Sequence, residues 1–450
     1  MRSRGWRLVL AVVAISAVTE IGGQTPEPPV DLAPGQPDAL GFSAERLQRL
    51  DRTLQQVAEK EFAGMVTILA RHSKVVHSKT FGKQDLEKGV PIRTDTIFRI
   101  ASMTKPITGV AMMILFEEGK WRPEDPIARH VPEFSDLKVL GSSGNLEAPV
   151  HAPTMGELMS HTAGFTYGGL GGATPVDKLY VDARLTQSSS LHEFVTKLGK
   201  LPLGYQPGTR WIYSYSVDIQ GYIVEKLSGK SLPDFMKERI FDPLGMKDSG
   251  FHVPESKLGR LATVYSLDAG KGAIVPAPMD TPTSSPALPM GGGGLFSTPA
   301  DYARFAQMLV NEGHLGTVRI LSPSTVQLMT SNHLDERLMA AGEYTPTTAT
   351  GMVRRDPNAA EGFGIAFYKV RPGIGFGYDV GVIFDPARAS RTVGKGTYHW
   401  DGAFGTWFWV DPANDLFFVG MIQRRDLRAI TNVQELARQM VYQALVHPEK

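Results

Sequence analysis

Residues 96–119 read Thr-Ile-Phe-Arg-Ile-Ala-Ser102-Met-Thr-Lys105-Pro106-Ile-Thr-Gly-Val-Ala-Met-Met-Ile-Leu-Phe116-Glu-Glu-Gly119. A strand-like run over 96–100 meets a helix-like apolar run over 107–116 that Gly119 closes. At the junction a serine stands three residues before a lysine. On a helix such a pair shares one face, with β-carbons roughly 5–6 Å apart. An unprotonated lysine can therefore take the serine's proton, which turns a poor nucleophile into an effective one. Proline is tolerated only in a helix's first turn, so Pro106 puts Ser102 at the helix tip, with its N–H available to an incoming oxygen. A residue before proline disfavours helical angles, so strain is expected at Lys105.

The spacing alone decides little, because Ser135-Asp-Leu-Lys138 repeats it. That copy lies in a short polar segment before Gly141-Ser-Ser-Gly144, a loop pattern. From this tetrapeptide alone Ser102 reads more readily as an ordinary helix N-cap than as a nucleophile. Context elsewhere in the chain has to choose.

The chain has 450 residues, 42% hydrophobic and 21% charged, enough for one large domain or two intimate ones. A formal net charge of +1 supplies no bulk field for nucleic acid or an anionic membrane. With no cysteine, disulfides, thiolate catalysis and cysteine metal sites are excluded. The eleven histidines form no metal-binding pattern. Arg2, Arg4 and Arg7 precede the apolar run Leu8–Val18, too short to span a bilayer as a stable helix. Residues 1–24 therefore read as an export signal or N-terminal anchor, 25–39 as a proline-rich tether, and the protein as secreted or periplasmic.

Ser43 heads an amphipathic helix to Glu59 with leucines at 47, 50 and 54. Strand patterns follow at Met65–Ala70 and Lys74–Phe81. The middle is rich in turns and short helices. Gly291–Gly294 marks a tight backbone passage, and a helix begins near Thr298-Pro-Ala-Asp301. Strand patterns return at Phe363–Val370, Thr406–Val410 and Leu416–Ile422, the last two around the turn Asp411–Asp415, before a helix over Val433–Leu445. The fold expected is α+β. Residues 40–120 and 291–450 would build one mostly antiparallel sheet flanked by helices, and 121–290 a mostly helical insertion.

Two further segments bear on the chemistry: Pro207-Gly-Thr-Arg-Trp-Ile-Tyr213-Ser-Tyr215-Ser and Tyr398-His-Trp400-Asp401-Gly402-Ala403-Phe-Gly. Together with Ser102-x-x-Lys105 they resemble the serine β-lactamase and penicillin-binding-protein superfamily, most of all the family VIII carboxylesterases. Leu158-Met-Ser-His-Thr-Ala-Gly-Phe165, Pro289–Asp301 and Tyr213-Ser-Tyr-Ser-Val-Asp218 support the likeness, which covers nearly everything after residue 40. The resemblance implies a β-lactamase/transpeptidase-like fold, with Ser102 as acylated nucleophile, Lys105 as its activator and Tyr213 as proton shuttle. It also implies an oxyanion hole from the N–H groups of Ser102 and Ala403, and no cofactor or metal.

Trp400-Asp401-Gly402 stands where the family's Lys-Thr-Gly lies, and Tyr215 replaces the asparagine of Tyr-x-Asn. With Tyr215, Trp400, Asp401 and Gly402 lining the substrate site, a carboxylate-attracting lysine is missing and an apolar face is added. Arg210 and His399 are expected to restore some positive charge. Neutral short-chain esters are the substrates this favours. A β-lactamase, a D-alanyl-peptide hydrolase or an acyltransferase would use the same residues, and a non-catalytic binding protein would use the cleft alone. No Gly-x-Ser-x-Gly occurs, which argues against an α/β-hydrolase route. His161 reads as a structural hydrogen-bonding residue of its turn.

Overall fold

The computed structural model describes residues 32–141, 144–168, 174–268, 270–335, 372–426 and 431–449. Residues 1–24, read above as an export signal or anchor, and the strand pattern at 363–370 lie outside them.

The centre of the molecule is one sheet made from both ends of the chain. Its main strands are β1 (Ala33–Pro34), β2 (Gly64–Arg71), β3 (Lys74–Asp85), β4 (Ile374–Phe376), β5 (Gly381–Ile383), β6 (Thr397–Asp401), β7 (Thr406–Asp411) and β8 (Leu416–Met421), and a ninth short strand, Val90–Pro91, pairs with the end of β3. They lie in the order β1-β3-β2-β8-β7-β6-β5-β4. All neighbours are antiparallel except β1 and β3. The parallel β1 pairing shows that the proline-rich stretch is docked from Leu32 onward, because Gly35 N–H also donates to Val75 O (2.9 Å).

Alternation along the strands sets the two layers. On β7, Trp407 and Trp409 face α1 (Ala44–Glu61) and a C-terminal helix (Val433–Ala444), packing among Leu47, Leu50, Leu54 and Val441. Phe408 and Val410 face the opposite layer, which holds α2 (Thr104–Glu117) and a helix over Pro299–Val310. Ser43 caps α1 by accepting from Arg46 N–H, as its position before the leucine stripe predicts. The 411–415 turn is tight because Asp415 adopts a left-handed conformation (φ 46°) and Asp411 accepts from Asn414 N–H (3.2 Å).

The strand expected over 96–100 is shorter than its apolar pattern. Only Phe98–Arg99 forms a ladder, with Phe296–Ser297, while Ile97 makes a single parallel bridge to Leu261. Ile100 N–H still donates in register to Leu295 O (3.1 Å), and the chain turns into the helix at Ala101, the first residue of a 3₁₀ turn. A second layer of helices includes α3 (Ser216–Ser228), packed against α2. The segment between the two sheet-forming parts also holds two small hairpins, Val139–Leu140 with Leu146–Glu147 and Tyr265–Asp268 with Ala273–Pro276.

Candidate active site

Backbone geometry places Ser102. Ala101, just before it, takes left-handed angles (φ 43°), which cost a residue with a Cβ about 1–3 kcal/mol. Thr104 Oγ1 donates to Ala101 O (2.6 Å) and accepts from Leu295 N–H (3.1 Å), so tertiary bonds hold the strained residue. Ala101–Met103 form one 3₁₀ turn leading straight into α2, with Pro106 in the helix's first turn. The strain expected at Lys105 falls instead at Ala101. A first-turn proline needs no intrahelical donor, so Lys105 stays helical.

Lys105 is buried. Its Nζ lies 3.5 Å from Ser102 Oγ, 3.0 Å from Tyr167 Oη and 2.6 Å from Gly292 O. The amine also sits 4.5 Å from the centre of the Tyr213 ring. Burial pulls Lys105 down to about 8, against the upward pull of Asp218, Asp379 and Asp401. Gly292 explains the four-glycine run: a Cβ there would lie 2.7 Å from Asp218 Oδ2, while its N–H donates to Asp218 Oδ1 (2.7 Å). Only glycine lets the carbonyl reach the amine and the N–H reach the carboxylate together.

Tyr213 arrives from the turn before α3. Its phenol is in hydrogen-bonding contact with the Ser102 side chain and with Trp400, and burial holds it well above the ordinary phenol range. His161 lies beneath it, ring centres 5.2 Å apart, with Nδ1 3.1 Å from Ser214 Oγ. Burial, helped by Lys105, keeps His161 far below its usual range, so it is a neutral hydrogen-bonding residue of its turn.

Gly402 brings the last segment alongside. A Cβ there would lie 2.2 Å from Ile100 O, two residues before Ser102. Thr406 Oγ1 ties the same carbonyl (3.1 Å), and the bonds from Gly402 N–H to Thr406 O (2.7 Å) and Gly405 N–H to Gly402 O (2.9 Å) leave Ala403 exposed at the turn's tip. Trp400 faces the cleft, 5.6 Å from the Tyr213 ring and 5.3 Å from Phe376, on the side of the sheet opposite Trp407 and Trp409. Tyr215 packs edge-on to Tyr167 (4.5 Å) and Phe194 (5.3 Å).

Asp401 and His399 alternate with Trp400, so both point to the layer of the C-terminal helix. Burial pushes Asp401 up to about 7 against Gln434, Lys105 and Arg438. His399 is held far below its usual range by burial and by Arg438 and Arg391, and so stays neutral. The Arg210 guanidinium lies over the Tyr205 ring, 4.6 Å from its centre. The positive charge expected from His399 is therefore absent, because a buried imidazole flanked by two arginines does not bind a proton. The second serine–lysine copy is unrelated: Ser135 Oγ donates to Pro132 O, and Lys138 pairs with Asp136 (2.6 Å) at the surface.

Two residues at the amine were not singled out from sequence. Tyr167 lies between Lys105 and Asp218 Oδ2 (3.5 Å), and Asp218 is pushed up to about 6 by burial against Lys105. A carboxylate within the apolar run Val217-Asp-Ile219 of α3 was the available signal, since such groups are rarely buried without a partner. Among the described residues no group of histidines and carboxylates is arranged to hold a metal ion.

A serine at the tip of a buried helix, set between an antiparallel sheet and a helical layer, is the arrangement of the serine hydrolases of β-lactamase-like fold. The chain belongs to that family, since the model described as Beta-lactamase matches residues 50–438. Protein Rv1367c of Mycobacterium tuberculosis (strain ATCC 25618 / H37Rv) is 34% identical over 371 residues, 80% of this chain and 86% of that protein. Esterase EstB of Burkholderia gladioli is 30% identical over 397 residues, 84% of this chain and 90% of its own. A solved structure, "EstCE1, a hydrolase with promiscuous acyltransferase activity", shares the fold with a TM-score of 0.69 at 23% identity, covering 90% of this chain and 99% of that one.

Proposed function

We propose that this protein is an exported carboxylesterase that cleaves neutral, short-chain esters through an acyl-Ser102 intermediate. The observation that carries the reading is the meeting of hydroxyl, buried amine and phenol at one helix tip, with Lys105 Nζ 3.5 Å from Ser102 Oγ. The similarity to an esterase supports the choice of substrate class.

Lys105 accepts the Ser102 proton as Oγ attacks the ester carbonyl. At an ordinary lysine pKa, keeping the amine neutral at pH 7 costs roughly 4.6 kcal/mol; at about 8 the cost is roughly 1.4 kcal/mol. Burial thus removes most of the obstacle. The N–H groups of Ser102 and Ala403 receive the oxyanion, and donors of this kind are worth about 3 kcal/mol each in rate. Tyr213 passes the proton to the departing alcohol, and water then repeats the sequence to free the acid. The buried carboxyl of Asp218 beside the amine, and an indole where the family has a lysine, disfavour an anionic substrate.

Intact-mass analysis after a fluorophosphonate or a slow ester should show one adduct, mapping to Ser102. Nitrophenyl acetate should be turned over far faster than nitrocefin or a D-Ala-D-Ala peptide. A Ser102→Ala protein that keeps the parent's rate on nitrophenyl acetate overturns the proposal.

A further inference from the structure

The two N–H groups assigned above to the oxyanion come from segments far apart in sequence, and side chains as well as main chain join those segments. Thr406, the first residue of β7, has no solvent exposure. Its carbonyl accepts from Gly402 N–H (2.7 Å), one residue before Ala403, while its Oγ1 donates to Ile100 O (3.1 Å), two residues before Ser102. A Cβ on Gly402 would collide with both Ile100 O and Thr406 Oγ1, so the three groups are packed in contact. Ile100 O already accepts from Met103 N–H (3.0 Å). That buried carbonyl is therefore satisfied without the hydroxyl. What the hydroxyl adds is a tie between the turn of Ser102 and the turn of Ala403.

Just beyond β8, Gln423 makes a second tie. Ile422 N–H donates to Gly405 O (3.2 Å) and Arg424 N–H to Phe404 O (2.9 Å), so this segment holds the far side of the Ala403 turn. Between them the buried Gln423 side chain accepts from Arg99 N–H (2.8 Å) and donates to Arg99 O (3.3 Å). One amide thus grips both backbone groups of a residue in the strand that feeds Ser102.

We propose that Thr406 and Gln423 are positioning residues for the oxyanion: together they fix the separation and aim of the Ser102 and Ala403 N–H groups without touching the substrate. The inference rests on the acyl-Ser102 reading. Oxyanion donors accelerate a reaction by being aimed in advance at the place where charge develops. A misplacement of about 1 Å can cost about 10²-fold in rate. With Gly402 held from one side and residues 404–405 from the other, the Ala403 turn cannot slide along the serine's turn.

Thr406→Val removes the hydroxyl at nearly constant volume, and Thr406→Ser puts it back. On nitrophenyl acetate, Thr406→Val should lose about 10- to 100-fold in kcat/KM. Its affinity for 1,1,1-trifluoroacetone, which adds to the serine as a tetrahedral oxyanion, should fall by the same factor. The pH of half-maximal kcat/KM should stay at the parent's value, because the amine is untouched, and Thr406→Ser should recover most of the rate. Gln423→Met keeps the side chain's length and loses both bonds; it should show the same losses and carries the test if Thr406→Val does not fold. A rate loss with trifluoroacetone affinity unchanged, a moved pH midpoint, a loss that Thr406→Ser does not recover, or parental activity in both variants overturns the inference. The reading beneath it fails separately, if fluorophosphonate leaves no adduct on Ser102 of the parent protein.

Discussion

Tyr213 and Lys105 differ in what they should do to rate. Lys105 has a lowered proton affinity in the fold, so the neutral amine prevails above about pH 8 and activity should climb through that value. The measurement is kcat/KM against pH for a neutral ester, where a flat profile through this range would contradict the assignment. Tyr213→Phe removes one oxygen and keeps the ring that packs on His161 and Trp400. Loss of about 10²- to 10⁴-fold is expected, the usual range for a proton-transfer group, with little change in melting temperature. These residues could be picked from sequence because each stands in a short, ordered phrase. Tyr167 and Asp218 could not be assigned roles that way. Their meaning depends on three separate segments converging on one nitrogen, and nothing in a tyrosine between threonine and glycine announces that.

Elements add a second kind of sensitivity. His77 on β3 lies with Nδ1 3.2 Å from Asp51 on α1 and Nε2 3.0 Å from Thr67 on β2, and so ties the helix to the sheet. Burial lowers it to about 4, against Asp51 and with Lys79. Because the folded value is depressed, the unfolded chain binds the proton first between about pH 6.5 and 4, and stability falls as pH drops through that window. The contribution at stake is about 3 kcal/mol. Asp218 and Asp401, raised by burial, change stability in the opposite direction. The check is therefore the difference in unfolding free energy between parent and His77→Gln, which should narrow on acidification; a gap constant with pH would remove this account. At this scale the sequence was most readable. The leucine stripe of α1, the alternation of β7 and the 411–415 turn all follow from local periodicity and turn chemistry. The shortened strand after residue 96 did not, because its length is set by a two-residue partner, Phe296–Ser297, nearly two hundred residues away in the chain.

Across the whole molecule one buried cation holds distant segments together. Arg71, at the end of β2, donates from Nε to Asn414 O (2.9 Å) and from its terminal nitrogens to Leu40 O (3.0 Å), His447 O (2.8 Å) and Glu449 Oε1 (2.9 Å). Arg71→Leu leaves those carbonyls without their donor and should cost about 3 kcal/mol. The readouts are a lower unfolding midpoint in urea and faster proteolysis near residue 447; equal midpoints would show that solvent replaces the bonds. Such an anchor is illegible beforehand, since an arginine closing a strand looks like any surface charge.

The Arg71 cluster also means that residue 40 and residue 447 are neighbours, with Phe42 and Leu445 bridged beside them. A short linker could join the two ends into a ring, and the ring could be reopened after α3 at Gly229, where nothing crowds the backbone. A chain so permuted would enter the world with its nucleophile in the second half, yet would have every contact required to assemble the same cleft.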